Sequence, residues 1–219
     1  MTWKVDRGLS IGYKTRPVAT VTEQVLFNAG QVTLLLGMNG QGKTTLMKTL
    51  AGLLPPLSGK LTPSHVLYLS DDVDFPPSLT PDEIVKCLDP GGKNRALGSE
   101  LMAGMEIEDK RYGLLSKGNR QKARVLFAEI ISKVRNVCFL GLDEPFAGLD
   151  FEARDYLVNR WLGTTNHERH LLVSMHPSEI PVAPSQILLV SKGKIWTVPP
   201  ATSWSEIRML LQQPKLLPV

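Results

Sequence analysis

An apolar run, Val32-Thr33-Leu34-Leu35-Leu36, leads straight into Gly37-Met38-Asn39-Gly40-Gln41-Gly42-Lys43-Thr44. From Lys43 to Leu54 the apolar residues Leu46, Met47, Leu50, Leu53 and Leu54 recur at helical spacing until Pro55-Pro56 stops them. Strand, glycine turn and helix in that order match the phosphate-binding pattern GxxxxGK[ST] in the context it needs. Its glycines let backbone N–H groups turn inward on phosphate oxygens, and the helix start adds the positive end of its dipole. Lys43 is expected to reach the β and γ phosphates of a nucleotide, and the Thr44 hydroxyl to ligate Mg²⁺. The nucleotide contacts read from this loop are Asn39, Gly40, Gln41, Gly42, Lys43, Thr44 and Thr45.

A second apolar strand, Val137-Cys138-Phe139-Leu140-Gly141-Leu142, delivers the adjacent carboxylates Asp143 and Glu144 at its C-terminal end. Ligands of open α/β sheets bind at that edge. Asp143 is placed for the Mg²⁺ shell and Glu144 for orienting or activating the attacking water, both needing fixed negative charge near the γ-phosphate. An Asp-Glu pair after a strand is, by itself, usually a solvated loop; behind a phosphate loop on the same sheet it reads as catalytic. The two features specify a P-loop nucleotide triphosphatase and leave kinases, GTPases and motor ATPases open.

Around them the chain alternates strands and helices. The first 36 residues read as short strands with a turn at Asn28-Ala29-Gly30. Residues 58–116 are richer in Pro, Gly and polar residues, with a strand at Val66 to Leu69 and short helices after Thr80 and near Leu101, and look inserted. From Asn119 a helix carries Ala123, Leu126, Phe127, Ile130 and Ile131 on one face, with Arg120, Lys122 and Arg124 off it. A helix from Phe151 to Leu162, a buried strand from Leu171 to Met175, a hairpin around Ser191-Lys192-Gly193 and a short helix-prone tail follow. This alternation argues for a mainly parallel, helix-covered sheet.

Composition narrows the remaining classes. Lys plus Arg number 25 against 21 Asp plus Glu, intermixed along the 219 residues, so no tract for nucleic acid stands out. The longest apolar runs fall far short of the roughly 20 residues of a spanning helix. Met1 to Gly8 is charged and lacks a secretory pattern, which places the chain in the cytosol as an expectation. Cys87 and Cys138 are the only cysteines, in neither a CxxC pair nor metal-ligand spacing, and Cys138 reads as core. His167 and His170 read as surface groups.

Leu115-Ser116-Lys117-Gly118-Asn119-Arg120-Gln121 precedes the helix at Asn119 and resembles the LSGGQ signature of the ABC ATPase family. Pro145-Phe146-Ala147-Gly148-Leu149-Asp150 resembles the family's extended Walker B and D-loop, His176 stands after a buried strand as its H-loop histidine does, and Tyr13 stands where an aromatic stacks on adenine. The resemblance, running from about Tyr13 to Lys194, implies a composite site. In it Ser116 and Gly118 bind the γ-phosphate of an ATP held on the opposite subunit, and His176 contacts that phosphate or the water. For Tyr13 a strand aromatic, and for Asp150 a helix N-cap, are equally adequate readings.

The sequence also departs from the family. The usual glutamine after the strand at Val66 to Leu69 is replaced by Asp71, a metal contact or only part of a solvated turn with Asp72. Lys117 and Asn119 replace a glycine and a glutamine of the signature. The segment from Asp71 to Leu115 is short for the family and fits a compact exporter-type or haem-exporter-like subunit.

The fold implied is a single ABC ATPase domain over residues 1–219: a P-loop α/β core of mainly parallel sheet flanked by helices, an N-terminal antiparallel β region, and an inserted helical subdomain over about 72–130. The function implied is ATP hydrolysis with Mg²⁺ by a pair of such subunits, expected as a homodimer. The pair would power transport, expected as export, through a separate transmembrane permease on the cytoplasmic face of the membrane. A soluble ABC ATPase in cofactor assembly and a nucleotide-gated regulator remain open alternatives.

Overall fold

A computed structural model describes residues 2–61, 65–70, 72–163, 169–176 and 184–212 of the chain. The strands are β1 (Thr2–Val5), β2 (Ser10–Tyr13), β3 (Arg16–Val21), β4 (Val25–Asn28), β5 (Val32–Leu36), β6 (Val66–Leu69), β7 (Phe139–Leu142), β8 (His170–Met175), β9 (Gln186–Ser191) and β10 (Lys194–Val198). The helices are α1 (Lys43–Leu50), α2 (Pro81–Leu88), α3 (Arg95–Gly104), α4 (Lys117–Val134), α5 (Phe151–Gly163) and α6 (Trp204–Gln212), with a 3₁₀ turn at Tyr112–Leu114.

Eight strands form one sheet in the order β2-β3-β10-β9-β5-β8-β7-β6. From β9 to β6 every neighbouring pair is parallel, with β5 between β8 and β9. All residues of β5, β7 and β8 are buried, as the near-continuous apolar strands of a sheet covered on both faces require. The N-terminal strands divide. β1 pairs antiparallel with β4 apart from the main sheet, whereas β2 and β3 form a hairpin that joins it through the parallel β3–β10 contact.

Two apolar clusters lie on opposite faces of the sheet. One gathers Leu34, Leu36, Leu140, Leu142 and Val173 with α2, α3, α4, α5 and α6; the other gathers Leu35, Phe139, Leu172 and Leu188 with α1 and the N-terminal strands. Alternate residues of each strand thus point to different cores, the period-two rule of a pleated sheet. Helix α2 opens with a capping box: Glu83 N–H donates to Thr80 Oγ1 at 3.3 Å and Thr80 N–H to Glu83 Oε2 at 2.8 Å, with Pro81 at its first position. Helix α6 has the same device in Ser203 and Glu206, so the helix-prone tail is a full helix that buries Ile207 and Leu211.

Several boundaries differ from the sequence reading. α1 stops at Leu50, where Gly52 turns left-handed, and Leu53 is exposed. α4 begins at Lys117, two residues before Asn119, because Ser116 caps it. β7 is only Phe139–Leu142; Val137 and Cys138 lead into it from Asn136, which turns at φ 48°. Lys122 is buried rather than off the packed face of α4, and its partner is Asp150. Cys138 is half-buried at the margin of the second cluster.

His170 is a further correction. It is 1% exposed, packed against Phe27 and Phe139, with Nδ1 2.8 Å from the Asn28 carbonyl oxygen. His167 lies outside the described residues. Burial lowers the His170 pKa from 6.5 to about 4, so the ring is neutral when folded and takes up a proton when the chain unfolds between those values. The stability this provides is complete above pH 6.5 and is lost as pH falls towards 4, by about 3 kcal/mol in all. Urea midpoints measured from pH 7 to pH 4 should fall more steeply in the wild type than in His170→Gln, which cannot titrate; parallel profiles would show that the imidazole is not shielded as described.

Candidate nucleotide site

The phosphate loop bridges β5 and α1. Gly42, the N-cap of α1, has φ 111°, a conformation open to glycine and strained for other residues. The turn exposes the start of α1 to a cavity of about 380 Å³ whose walls include Tyr13, Asn39, Gly40, Lys43, Thr44, Thr45, Asp143 and Glu144. Lys43 is 5% exposed; its Nζ donates to the Gly37 carbonyl at 2.9 Å and lies 3.6 Å from Glu144 Oε1. A buried ammonium with one carbonyl and one long carboxylate contact is positioned to exchange these partners for phosphate oxygens.

Asp143 joins four elements. Carried at the end of β7, its carboxylate accepts from Thr44 Oγ1 of α1 at 2.7 Å, from Tyr68 OH of β6 at 2.9 Å and from Ser174 Oγ of β8. Thr44 and Asp143 supply hard oxygen atoms side by side, the donor chemistry that Mg²⁺ takes together with phosphate oxygens and water. These residues fit that ion. Glu144 has φ 45°, unusual for a residue with a side chain. Two side chains hold it there: its N–H donates to Ser174 Oγ at 2.9 Å, and its carbonyl accepts from Gln121 Nε2 at 3.4 Å.

Tyr13 ends β2 and is half exposed at the cavity wall, not packed into the sheet. Gln41 turns the other way, its Oε1 accepting from the Lys192 N–H at 2.7 Å. His176 follows β8, at the same edge of the sheet as Asp143, and is half-buried. Asp71 lies outside the described residues.

Ser116 and Gly118 are not in the cavity wall; they stand at the start of α4. Ser116 Oγ accepts from the Asn119 N–H at 3.1 Å and so caps its own helix. Gly118 lies against the segment after Glu144: a Cβ there would be 2.9 Å from the Gly148 carbonyl oxygen. Within one chain, then, both residues also have structural reasons to be what they are. Asp150 N-caps α5 through the Ala153 N–H at 2.9 Å and pairs with Lys122, whose hydrogen bond holds the Asp150 carboxyl below its usual pKa.

Sequence reasoning missed Tyr68, Ser174 and Gln121. Each is polar in an otherwise apolar stretch: Val66-Leu67-Tyr68-Leu69, Leu171-Leu172-Val173-Ser174-Met175 and the buried face of α4. A buried polar group needs a partner, and that was the signal available.

Comparison with known proteins places the chain. A model of the ABC transporter family matches residues 24–147. The SkfA peptide export ATP-binding protein SkfE of Bacillus subtilis is 30% identical over 187 residues, 76% of this chain and 76% of that protein. The manganese transport system ATP-binding protein MntB of Listeria monocytogenes is 27% identical over 226 residues, 91% of each. A solved ATP-binding subunit of an ABC transporter superposes with a TM-score of 0.76 at 20% identity, covering 96% of this chain and all of that one. The chain belongs to the ABC transporter family as an ATP-binding subunit, and it is an ATPase. Among the described residues no helix is long and apolar enough to cross a membrane.

Ser174 satisfies two groups at once, the Asp143 carboxylate and the Glu144 N–H. Ser174→Ala leaves the half-buried Glu144 amide and the Asp143 carboxylate each short of a partner and is expected to cost about 1–3 kcal/mol, with a loss of ATPase activity larger than that of Tyr68→Phe, which removes only one donor. Denaturant midpoints and turnover of the two variants check this ordering.

Proposed function

We propose that the chain binds MgATP in the cavity at the start of α1 and hydrolyses it by in-line attack of water on the γ-phosphate. The observation that carries this reading is the convergence of Lys43, Thr44, Asp143 and Glu144, from two separate segments, on one cavity. Asn39, Gly40, Gly42 and Thr45 supply loop and helix-start groups around the phosphates, Gln41 shapes the loop from outside it, and Tyr13 offers a ring face to adenine. Lys43 binds the β and γ phosphates, leaving Gly37 and Glu144. Glu144, released from that contact, orients the water and takes its proton, and His176 holds the γ-phosphate or the water from the neighbouring strand end. Thr44 and Asp143 hold Mg²⁺, which when bound supplies positive charge to the phosphate oxygens.

Two copies close head to tail, so that Ser116 and Gly118 at the start of α4 in one reach the γ-phosphate in the other; their position outside their own chain's cavity and at a helix N-terminus supports this. The inserted helical subdomain over about 72–130, built from α2, α3 and much of α4, transmits closure to a transmembrane permease. Asp71 stands where the family's metal-sensing glutamine does, and the likeness to a peptide export ATP-binding protein supports export.

Steady-state hydrolysis against protein concentration tests this composite site. Specific activity should rise with concentration, and Glu144→Gln should lower turnover by about 10²-fold or more while accumulating an ATP-bound dimer. Ser116→Asp keeps the helix cap but sets a carboxylate against the partner's phosphate, and it too should be inactive. Activity independent of concentration and indifferent to Ser116→Asp would overturn the two-subunit site.

A further inference from the structure

The β9–β10 hairpin is the seat on which the phosphate loop rests. At the start of the loop the Gly37 backbone lies against β9, with the Val190 carbonyl oxygen 2.5 Å from where a Cβ would be. At its middle Gln41 Oε1 accepts from the Lys192 N–H at 2.7 Å. Lys192 and Gly193 form the two-residue hairpin turn between paired Ser191 and Lys194, at φ 46° and 77°.

The same turn also meets the last described turn of α6. Ser191 Oγ, 2% exposed, donates to the Leu211 carbonyl at 2.8 Å, and Lys192 Nζ donates to the Gln212 carbonyl at 2.7 Å. Two carbonyls of the last described turn of α6 are thus hydrogen-bonded by the hairpin turn, one of them by a cation. At its other end α6 is fixed by the Ser203–Glu206 capping box, and between them Ile207 and Leu211 are buried in the core. A continuous chain of contacts therefore runs from a packed helix, through one lysine, to the side chain of a phosphate-loop residue.

We propose that Gln41 and Lys192 are positioning residues for nucleotide: through them α6 and the β9–β10 turn hold the phosphate loop in its binding conformation and set its affinity for ATP. Neither needs to touch ATP. Lys192 stabilises the turn by anchoring to α6, and Gln41 converts that anchorage into a fixed loop geometry, so that less ordering remains to be done when phosphate binds. The inference rests on the reading of residues 37–44 as the phosphate site.

The test uses the full chain, ATP as the probe, equilibrium binding and steady-state hydrolysis. Gln41→Met keeps the length of the side chain and removes the acceptor; Lys192→Ala keeps the amide and removes the link to α6. Gln41→Met is expected to raise the ATP dissociation constant and KM by about threefold to tenfold, the worth of one hydrogen bond, with kcat within about twofold. Lys192→Ala should raise them less, Lys192→Arg should restore them, and the double variant should be no worse than Gln41→Met, because both act through one chain of contacts. An unchanged KM in Gln41→Met, or additive effects in the double variant, would overturn the proposal. If the wild type binds ATP but Lys43→Ala binds it equally well, the phosphate-site reading itself fails and the proposal with it.

Discussion

Three hydroxyl groups converge on the carboxylate of Asp143, and the active edge of the sheet is organised around that convergence. Thr44 comes from the first turn of α1, Tyr68 from β6 and Ser174 from β8, while β7 delivers the carboxylate itself. Asp143 is 6% exposed, and a charge so placed is tolerable only where hydrogen bonds replace lost water. Because the donors sit on separate elements, satisfying the carboxylate also fixes how far α1 stands from the strand ends, and hence where Lys43 and the phosphate loop lie. The same Ser174 hydroxyl takes the Glu144 amide, so the position of one acidic residue determines the backbone of the next.

Glu144 shows what that rigidity holds in place. Left-handed backbone at a residue with a side chain costs of order 1–3 kcal/mol and persists where its surroundings over-determine it. Here Ser174 holds the amide and Gln121 the carbonyls of Glu144 and Pro145. Gln121 belongs to α4, whose start also meets the following segment at Gly148 and Asp150. The geometry of the acidic pair is therefore shared between the sheet and the helix that begins at Ser116, and a movement of that helix would be felt at Glu144.

Much of this was legible in the sequence where a local rule and the tertiary structure agree. The apolar strands, the glycine loop and the helix after it follow from spacing alone, and the parallel order of the sheet follows from their alternation. What was hidden depended on partners distant in the chain. Lys122 read as lying off the apolar stripe of α4; it is buried, and Asp150, 28 positions on, comes to meet it. His170 read as a surface group because no motif surrounds it, yet it begins a strand and packs between Phe27 and Phe139. Tyr68 and Ser174 gave only the weak signal of a polar residue in an apolar strand.

In the proposed two-subunit site Ser116 and Gly118 would carry a double constraint. In its own chain Ser116 caps α4, and Gly118 allows that helix to approach the Gly148 carbonyl. The proposed contact with a second subunit's nucleotide draws on the same helix start, since backbone N–H groups left without intrahelical partners are what an anion seeks. Asn119 adds a link to Glu108 through the Glu108 N–H at 3.1 Å, which steadies the first turn. Lys117, exposed at that turn, adds a positive charge at little conformational expense, because a lysine inside a helix needs no left-handed backbone. The position that must stay small is Gly118, and its constraint comes from its own chain as much as from any partner.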